Sequence, residues 1–254
     1  MLAYRFKNRE VKSVAKYNKV WYITPCNCVN ALKNNECKGE IIMKTLKKAL
    51  VTGLVAVMMV VNLAGCGKFA AYVESCLDLL TKGETEQYMK MTGRSKEQAE
   101  SDYESNIDAM MTEMDQFNLS DELSNSYRQL FKDVYAKAKY TVKDAEKMDD
   151  KDGYYVTVEI EQMTGLFNGI QEELMTEFTE WANSFDADTY PTEDEMYEQM
   201  YQMMYDLMSA RLDSITYNDP QEVVVEVIGE DNVYSISDGS MTELDEALLD
   251  VATE

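Results

Sequence analysis

Cys66 is the residue whose neighbours come nearest to specifying a reaction. It follows Leu63, Ala64 and Gly65, an apolar residue and then two small ones. Small side chains let an enzyme reach the backbone, the apolar one fills a subsite, and only a thiol forms a thioether. Other candidates are weaker. The chain has no histidine, which removes Ser-His-Asp, Cys-His and His-metal arrangements. No glycine-rich phosphate loop occurs. Cys76 as a nucleophile would need a base and an electropositive setting, yet Glu74 and Asp78 flank it. A place on an apolar helical face with Tyr72 and Leu80 is the expectation. Cys26, Cys28 and Cys37 form a C-x-C with one distant partner and lack a fourth zinc ligand.

Acidic and methionine clusters need weighing too. Met148 to Glu159 (MDDKDGYYVTVE) matches a calcium loop at Asp150, Asp152, Gly153 and Glu159. Met148 stands where the first ligand belongs, and the following residues alternate as a strand, so a hairpin turn is expected. Asp186 to Asp188 runs into Tyr190-Pro191 and fails similarly. In EMYEQMYQMMYDLM, Met196, Met200, Met203 and Met204 offer soft copper ligands or an adaptable groove. A core helix with Tyr197, Tyr201 and Tyr205 as an amphipathic shoulder is the simpler reading. Carboxylate-pair hydrolysis stays open, but 47 acidic residues supply so many pairs that no single pair is informative. No catalytic residue, metal or cofactor is expected.

The elements that position Cys66 lie before it. Ala49 to Val61 (ALVTGLVAVMMVV) carries no charge, and Met43-Lys44-Thr45-Leu46-Lys47-Lys48 precedes it. A basic start, an apolar run and a small-residue end form a secretory signal over residues 43–65. The run is shorter than the roughly 20 residues that span a bilayer. Leu63-Ala64-Gly65-Cys66 resembles the lipobox of bacterial lipoproteins. That resemblance implies diacylglycerol on the Cys66 thiol and cleavage between Gly65 and Cys66. Each buried CH2 is worth about 0.8 kcal/mol, and two acyl chains on one residue anchor stably where one does not.

A signal belongs at an N-terminus, so residues 1–42 read as a mis-assigned extension. Lys38-Gly39-Glu40 can be encoded by a purine-rich ribosome-binding sequence, two codons ahead of Met43. The stretch up to Cys37 shows no sustained helical or alternating period.

Residues 66–254 then form a single mature domain. Residues 1–65 hold 11 basic and 3 acidic residues, which leaves 13 basic and 44 acidic, a formal net charge of −31. After Lys151, Arg211 is the one remaining cation. Nucleic-acid binding requires a cationic footprint and is excluded. An anionic lipid surface is repelled as well, so acyl chains, not a protein face, would hold the domain to a membrane. Tyr, Met, Leu, Val and Ile suffice to bury a core. With Cys66 acylated, Cys76 has no disulfide partner.

Periodicity places the elements. A helix over 70–81 ends at Lys82-Gly83, and a short one over 84–91 ends at Gly93. Ser95 with Gln98 forms a capping box, opening a helix with Tyr103, Ile107, Met110, Met111 and Met114 on one side. Ser120 opens another, faced by Leu123, Tyr127, Leu130, Phe131, Val134 and Tyr135. Strands at 139–146 and 154–161 flank a polar turn, with Tyr154, Val156, Val158 and Ile160 on one side. Helical spacing resumes at Leu166, Ile170, Leu174, Phe178 and Trp181. It recurs in the methionine helix, with Pro191 in its first turn. A second hairpin pairs 223–227 with 233–237, and a helix over 242–251 closes the chain. The class is α+β, helices on an antiparallel sheet built from two hairpins. The repeated order of helices then hairpin suggests an internal duplication.

At YVESCLDLLTKGETEQYMKMTG (72–93), and at PQEVVVEVIGEDNVYSIS (220–237) before a short helix, the chain resembles small, uncharacterised lipoproteins of clostridia and related Gram-positive bacteria. The resemblance implies an α+β domain with a cystatin-like or nuclear-transport-factor-like sheet, and attachment through Cys66. No catalytic residues come with it. The expected function is a lipid-anchored binding or interaction module on the outer face of the cell membrane, meeting a protein or envelope partner. A transporter-associated solute receptor is the second reading, and a carboxylate-based hydrolase the third.

Overall fold

The computed structural model describes residues 25–51, 66–186, 188–230 and 233–251; side chains are described from residue 38, and past the first gap from residue 67. Helix α1 spans Pro25–Val51, α2 Cys66–Lys82, α3 Glu86–Thr92, α4 Lys96–Thr112 and α5 Asp121–Tyr135. Strands β1 (Lys139–Lys147), β2 (Gly153–Glu161) and β3 (Met163–Thr164) follow. Then come α6 (Ile170–Ala182), α7 (Glu193–Arg211), β4 (Thr216–Tyr217), β5 (Gln221–Glu230), β6 (Val233–Ile236) and α8 (Asp238–Leu248).

The two hairpins form one four-stranded antiparallel sheet in the order β1-β2-β5-β6. The expected α+β class is what the chain adopts. Inner-face apolar residues meet across the β2–β5 seam, Tyr154 opposite Val227, Val156 opposite Val225 and Val158 opposite Val223. Such opposed β-branched and aromatic pairs stabilise a sheet. β1 carries a bulge between Val142 and Ala145. The extra residue breaks strict alternation and returns Ala145 to the half-buried side, while Lys143 and Asp144 stay exposed. Gly153 begins β2 where a Cβ would fall 2.7 Å from the Val227 carbonyl oxygen, so the strands approach more closely than any larger residue allows.

Helices α2 and α8 lie on the sheet, and α1 and α4–α7 pack beyond them. The core is continuous: Leu77 and Leu80 of α2, Phe131 of α5, Val158 of β2, Phe178 of α6 and Leu244 of α8 are all fully or almost fully buried. The outer sheet face keeps Tyr155 and Val224 exposed.

Local signals account for most boundaries. Ser95 Oγ accepts from the Gln98 N–H at 3.2 Å, and Gln98 Oε1 accepts from the Ser95 N–H at 2.9 Å, which completes the capping box. Ser120 Oγ accepts from the Leu123 N–H at 3.2 Å. All six inner-face residues expected in α5 are buried.

Several elements differ from the sequence expectation. Pro191 precedes α7; Thr192 is the cap, bonded to the Glu195 N–H at 3.3 Å. α8 begins at Asp238 because Ser237 Oγ caps the Ser240 N–H at 3.2 Å, with Gly239 tolerated in the first turn. The start of the expected helix at Leu166 is a turn, since Gly169 takes a left-handed φ of 65°. The two-stranded β3–β4 sheet has only two residues per strand, too few for a visible period. Finally, α1 begins at Pro25, where no sustained period is visible. Proline suits a first helical position, and the later turns of α1 bury Ile42, Met43, Leu46, Ala49 and Leu50 in the core. The two hairpins lie side by side, but from residue 66 onward four α-helices (α2–α5) precede the first and two (α6 and α7) the second.

Candidate functional site

Cys66 is the first residue of α2. Its side chain, Gly65 and the bond between them lie outside the described residues, as do residues 52–65. Gly67 and Lys68 are exposed, and a Cβ at Gly67 would meet nothing within 4 Å. The next residue is fixed. Phe69 is fully buried, stacks on Tyr154 with ring centroids 3.7 Å apart and an 18° interplanar angle, and meets Tyr234 edge-on at 4.9 Å. Tyr72 donates to the Tyr234 carbonyl at 3.4 Å, and Tyr234 Oη donates to the Asp152 carboxylate at 3.2 Å. Two residues, Gly67 and Lys68, therefore separate Cys66 from a residue locked onto the sheet.

This aromatic clamp escapes sequence inspection. Phe69 carries no motif, and its partners come from β2 and β6, 85 and 165 positions further on. A sole hint is the Tyr154, Val156, Val158, Ile160 alternation, which puts Tyr154 on the buried side.

Cys76 is fully enclosed. Burial pushes its thiol up to about 12, with hydrogen bonding to Tyr72 and Ser75 acting the other way. A neutral, enclosed thiol is core filler, as its helical face suggests. The methionine helix is also core: Met200, Met204 and Met208 are buried, Met196 and Met203 pack at the margin. Tyr201 is fully buried too and belongs to the core, not the shoulder, because its ring packs against Tyr127 and Phe117.

The acidic turn at 148–152 joins β1 to β2. Met148 is buried, and its N–H donates to the Gly153 carbonyl at 3.0 Å. The Asp152 carboxylate accepts from Tyr234, and its carbonyl accepts from the Gly229 N–H at 2.8 Å. The Thr189 N–H donates to the Asp186 carbonyl at 3.0 Å. Among the described residues, no group of three or more Cys, Asp or Glu is arranged to hold a metal ion.

Three carboxylates, Glu104, Asp102 and Asp78, meet cations or phenols. Glu104 meets Lys132 and Arg128. Partial burial would raise its pKa, but those two cations hold it below the usual carboxylate range. Asp102 accepts from Tyr88 at 2.8 Å and Arg94 at 2.9 Å. A cavity of about 240 Å3 between α2 and α3 is lined by Ala71, Glu74, Ser75, Asp78, Gln87 and Met91. Its Asp78 accepts from Tyr140 at 2.7 Å and Lys82 at 2.8 Å.

No helix among the described residues is long and apolar enough to cross a membrane. No protein-family model matches the chain, and no curated protein matches it. Among solved structures, the crystal structure of a presumed lipoprotein, YcdA, from Bacillus subtilis is similar, with a TM-score of 0.48 and 15% identity over 72% of this chain and 56% of that one.

Proposed function

We propose that the chain is a lipid-anchored extracytoplasmic interaction module, cut before Cys66 and held to the outer face of a cell membrane by acyl chains on that thiol. The observation that carries this reading is the run from Lys44 through an uncharged stretch to Leu63-Ala64-Gly65-Cys66, with helix α2 beginning at Cys66.

The geometry adds an orientation. With Phe69 clamped between Tyr154 and Tyr234, the domain would be tethered at the sheet end that carries the 148–152 turn. The acyl chains supply the affinity. The net charge of residues 66–254 keeps the rest of the surface off an anionic bilayer.

Metabolic labelling with a fatty acid tests this. The wild-type chain should take up label and partition into detergent; Cys66→Ser should do neither while keeping its far-ultraviolet circular dichroism. Equal partitioning of the two would contradict the reading. Interaction in place of catalysis rests on Glu104, Asp102 and Asp78, whose carboxylates are engaged with lysines, arginines and tyrosines. A hydrolase instead would lose activity on replacement of one acid of a pair, and a solute receptor would show ligand-dependent thermal stabilisation.

A further inference from the structure

Helix α1 occupies a groove. From residue 38 onward it packs against α4, α6 and α8. Ile42, Met43, Leu46, Ala49 and Leu50 point into the core and are 3% exposed or less. The groove walls are adaptable: a Cβ on Gly39 would fall 2.5 Å from Met175 Sδ and 3.7 Å from Met200 Cε. Methionine side chains reshape around whatever apolar surface meets them.

The groove has a polar specification as well. The Tyr135 hydroxyl donates to the Leu50 carbonyl. Lys38 pairs with Glu193 at 3.3 Å and lies 4.8 Å from the Tyr197 ring centroid. Lys48 pairs with Glu113 at 2.8 Å, and Lys47 stands 5.5 Å from the Phe167 ring centroid. An apolar floor, aromatic shoulders and an acidic rim thus meet a helix with an apolar stripe and flanking lysines.

We propose that this groove is a receptor site for a basic amphipathic helix of a partner protein, made available when cleavage before Cys66 parts α1 from the domain. The inference rests on the lipoprotein reading, since cleavage removes the present occupant. It goes beyond that reading by stating where the partner binds and what it must present. The partner helix carries Leu, Ile or Met at spacings of three and four, as at 42, 43, 46 and 50, with lysine or arginine beside them. Charge selects this occupant over the others. A second copy would bring another domain of net charge −31 against the first. An acyl chain would cover the floor and leave Glu113 and Glu193 unmatched. A bare groove is disfavoured, because soluble surfaces rarely leave contiguous apolar patches of this kind uncovered.

The test uses the full chain carrying Cys66→Ser, with a site-specific protease sequence inserted within residues 52–65. After nicking, a fluorescent peptide of residues 38–51 is titrated in, and anisotropy is followed. Saturable one-to-one exchange is expected, with circular dichroism retained. A Leu46→Asp peptide should bind at least about tenfold more weakly. A Lys38→Glu, Lys48→Glu peptide should bind about fivefold more weakly, and less so as salt rises from about 50 to about 500 mM. Failure to exchange, unfolding on release of the nicked helix, preferential displacement by palmitate, or dimerisation on light scattering would each overturn the assignment. The mass of the native product separates the two readings. An uncut chain ends the lipoprotein reading and the groove's availability together; a chain cut at Cys66 that refuses the peptide overturns the groove alone.

Discussion

Phe69 and Tyr154 stack face to face, centroids 3.7 Å apart, three residues after the proposed acylated cysteine. The contact joins the first turn of α2 to the second residue of β2, and Tyr234 closes it from β6. The start of α2 is therefore fixed to the core at Phe69. Phe69→Ala removes a fully buried ring and should destabilise the domain by about 3–5 kcal/mol. Denaturant unfolding would show a lower midpoint. An unchanged midpoint would mean that the start of α2 is not built into the fold.

Hairpin geometry depends on Gly153. Because its Cβ position lies 2.7 Å from the Val227 carbonyl oxygen and 2.9 Å from Met148 Sδ, Gly153→Ala should cost about 1–3 kcal/mol by forcing the β2–β5 seam apart. Amide exchange measured across β2 and β5 should quicken, while that in α7 stays slow.

The Tyr127 hydroxyl, wholly buried, donates to the Tyr201 carbonyl at 2.7 Å. Tyr127→Phe leaves that acceptor without this donor in an apolar setting and should lower stability by about 1 kcal/mol. Thermal unfolding of the two proteins side by side checks this.

Acid sensitivity follows from Glu104, whose pKa is lowered by Lys132 and Arg128 against the opposing effect of burial. A carboxylate with a folded pKa below its unfolded value, about 4.3 for glutamate, contributes stability fully above that unfolded value. The contribution is lost as pH falls through the folded pKa. Glu104→Gln should therefore flatten the acid limb of the stability profile below about pH 4. Because Glu104 is about half exposed, at 47%, the change should also shrink in high salt.

Cys76 should resist alkylation in the native state, since burial pushes its thiol up to about 12. Peptide-level mass spectrometry after iodoacetamide treatment should find Cys76 modified only at the rate of unfolding. Fast modification of folded protein would show that the α2 face opens.

How much of this could be read from the residues alone depended on range. Capping at Ser95 and Ser120, the α5 face and the two hairpins are local patterns set by side chains within a few positions of one another. Sheet order and the Phe69–Tyr154–Tyr234 clamp are not local; they join segments 85 or more positions apart. The bulge at Lys143-Asp144 disguised the inner face of β1, since Val142 and Ala145 share a side at a spacing of three. Tyr201 looked amphipathic because its hydroxyl suits a boundary, yet neighbouring aromatic rings enclose it. At the proposed attachment site, the residues Leu63 to Cys66 carried the whole signal. The groove was legible only as a methionine-rich helix, because its walls come from α4, α6 and α8 as well as α7.

The central claim is that Cys66 becomes the first residue of a diacylated protein. Intact-mass and N-terminal peptide spectrometry of the product purified from its native membrane tests it most directly. The account predicts a chain beginning at Cys66, heavier than the bare 66–254 polypeptide by a thioether-linked diacylglycerol. A polypeptide that continues through Gly65 with an unmodified thiol would contradict it.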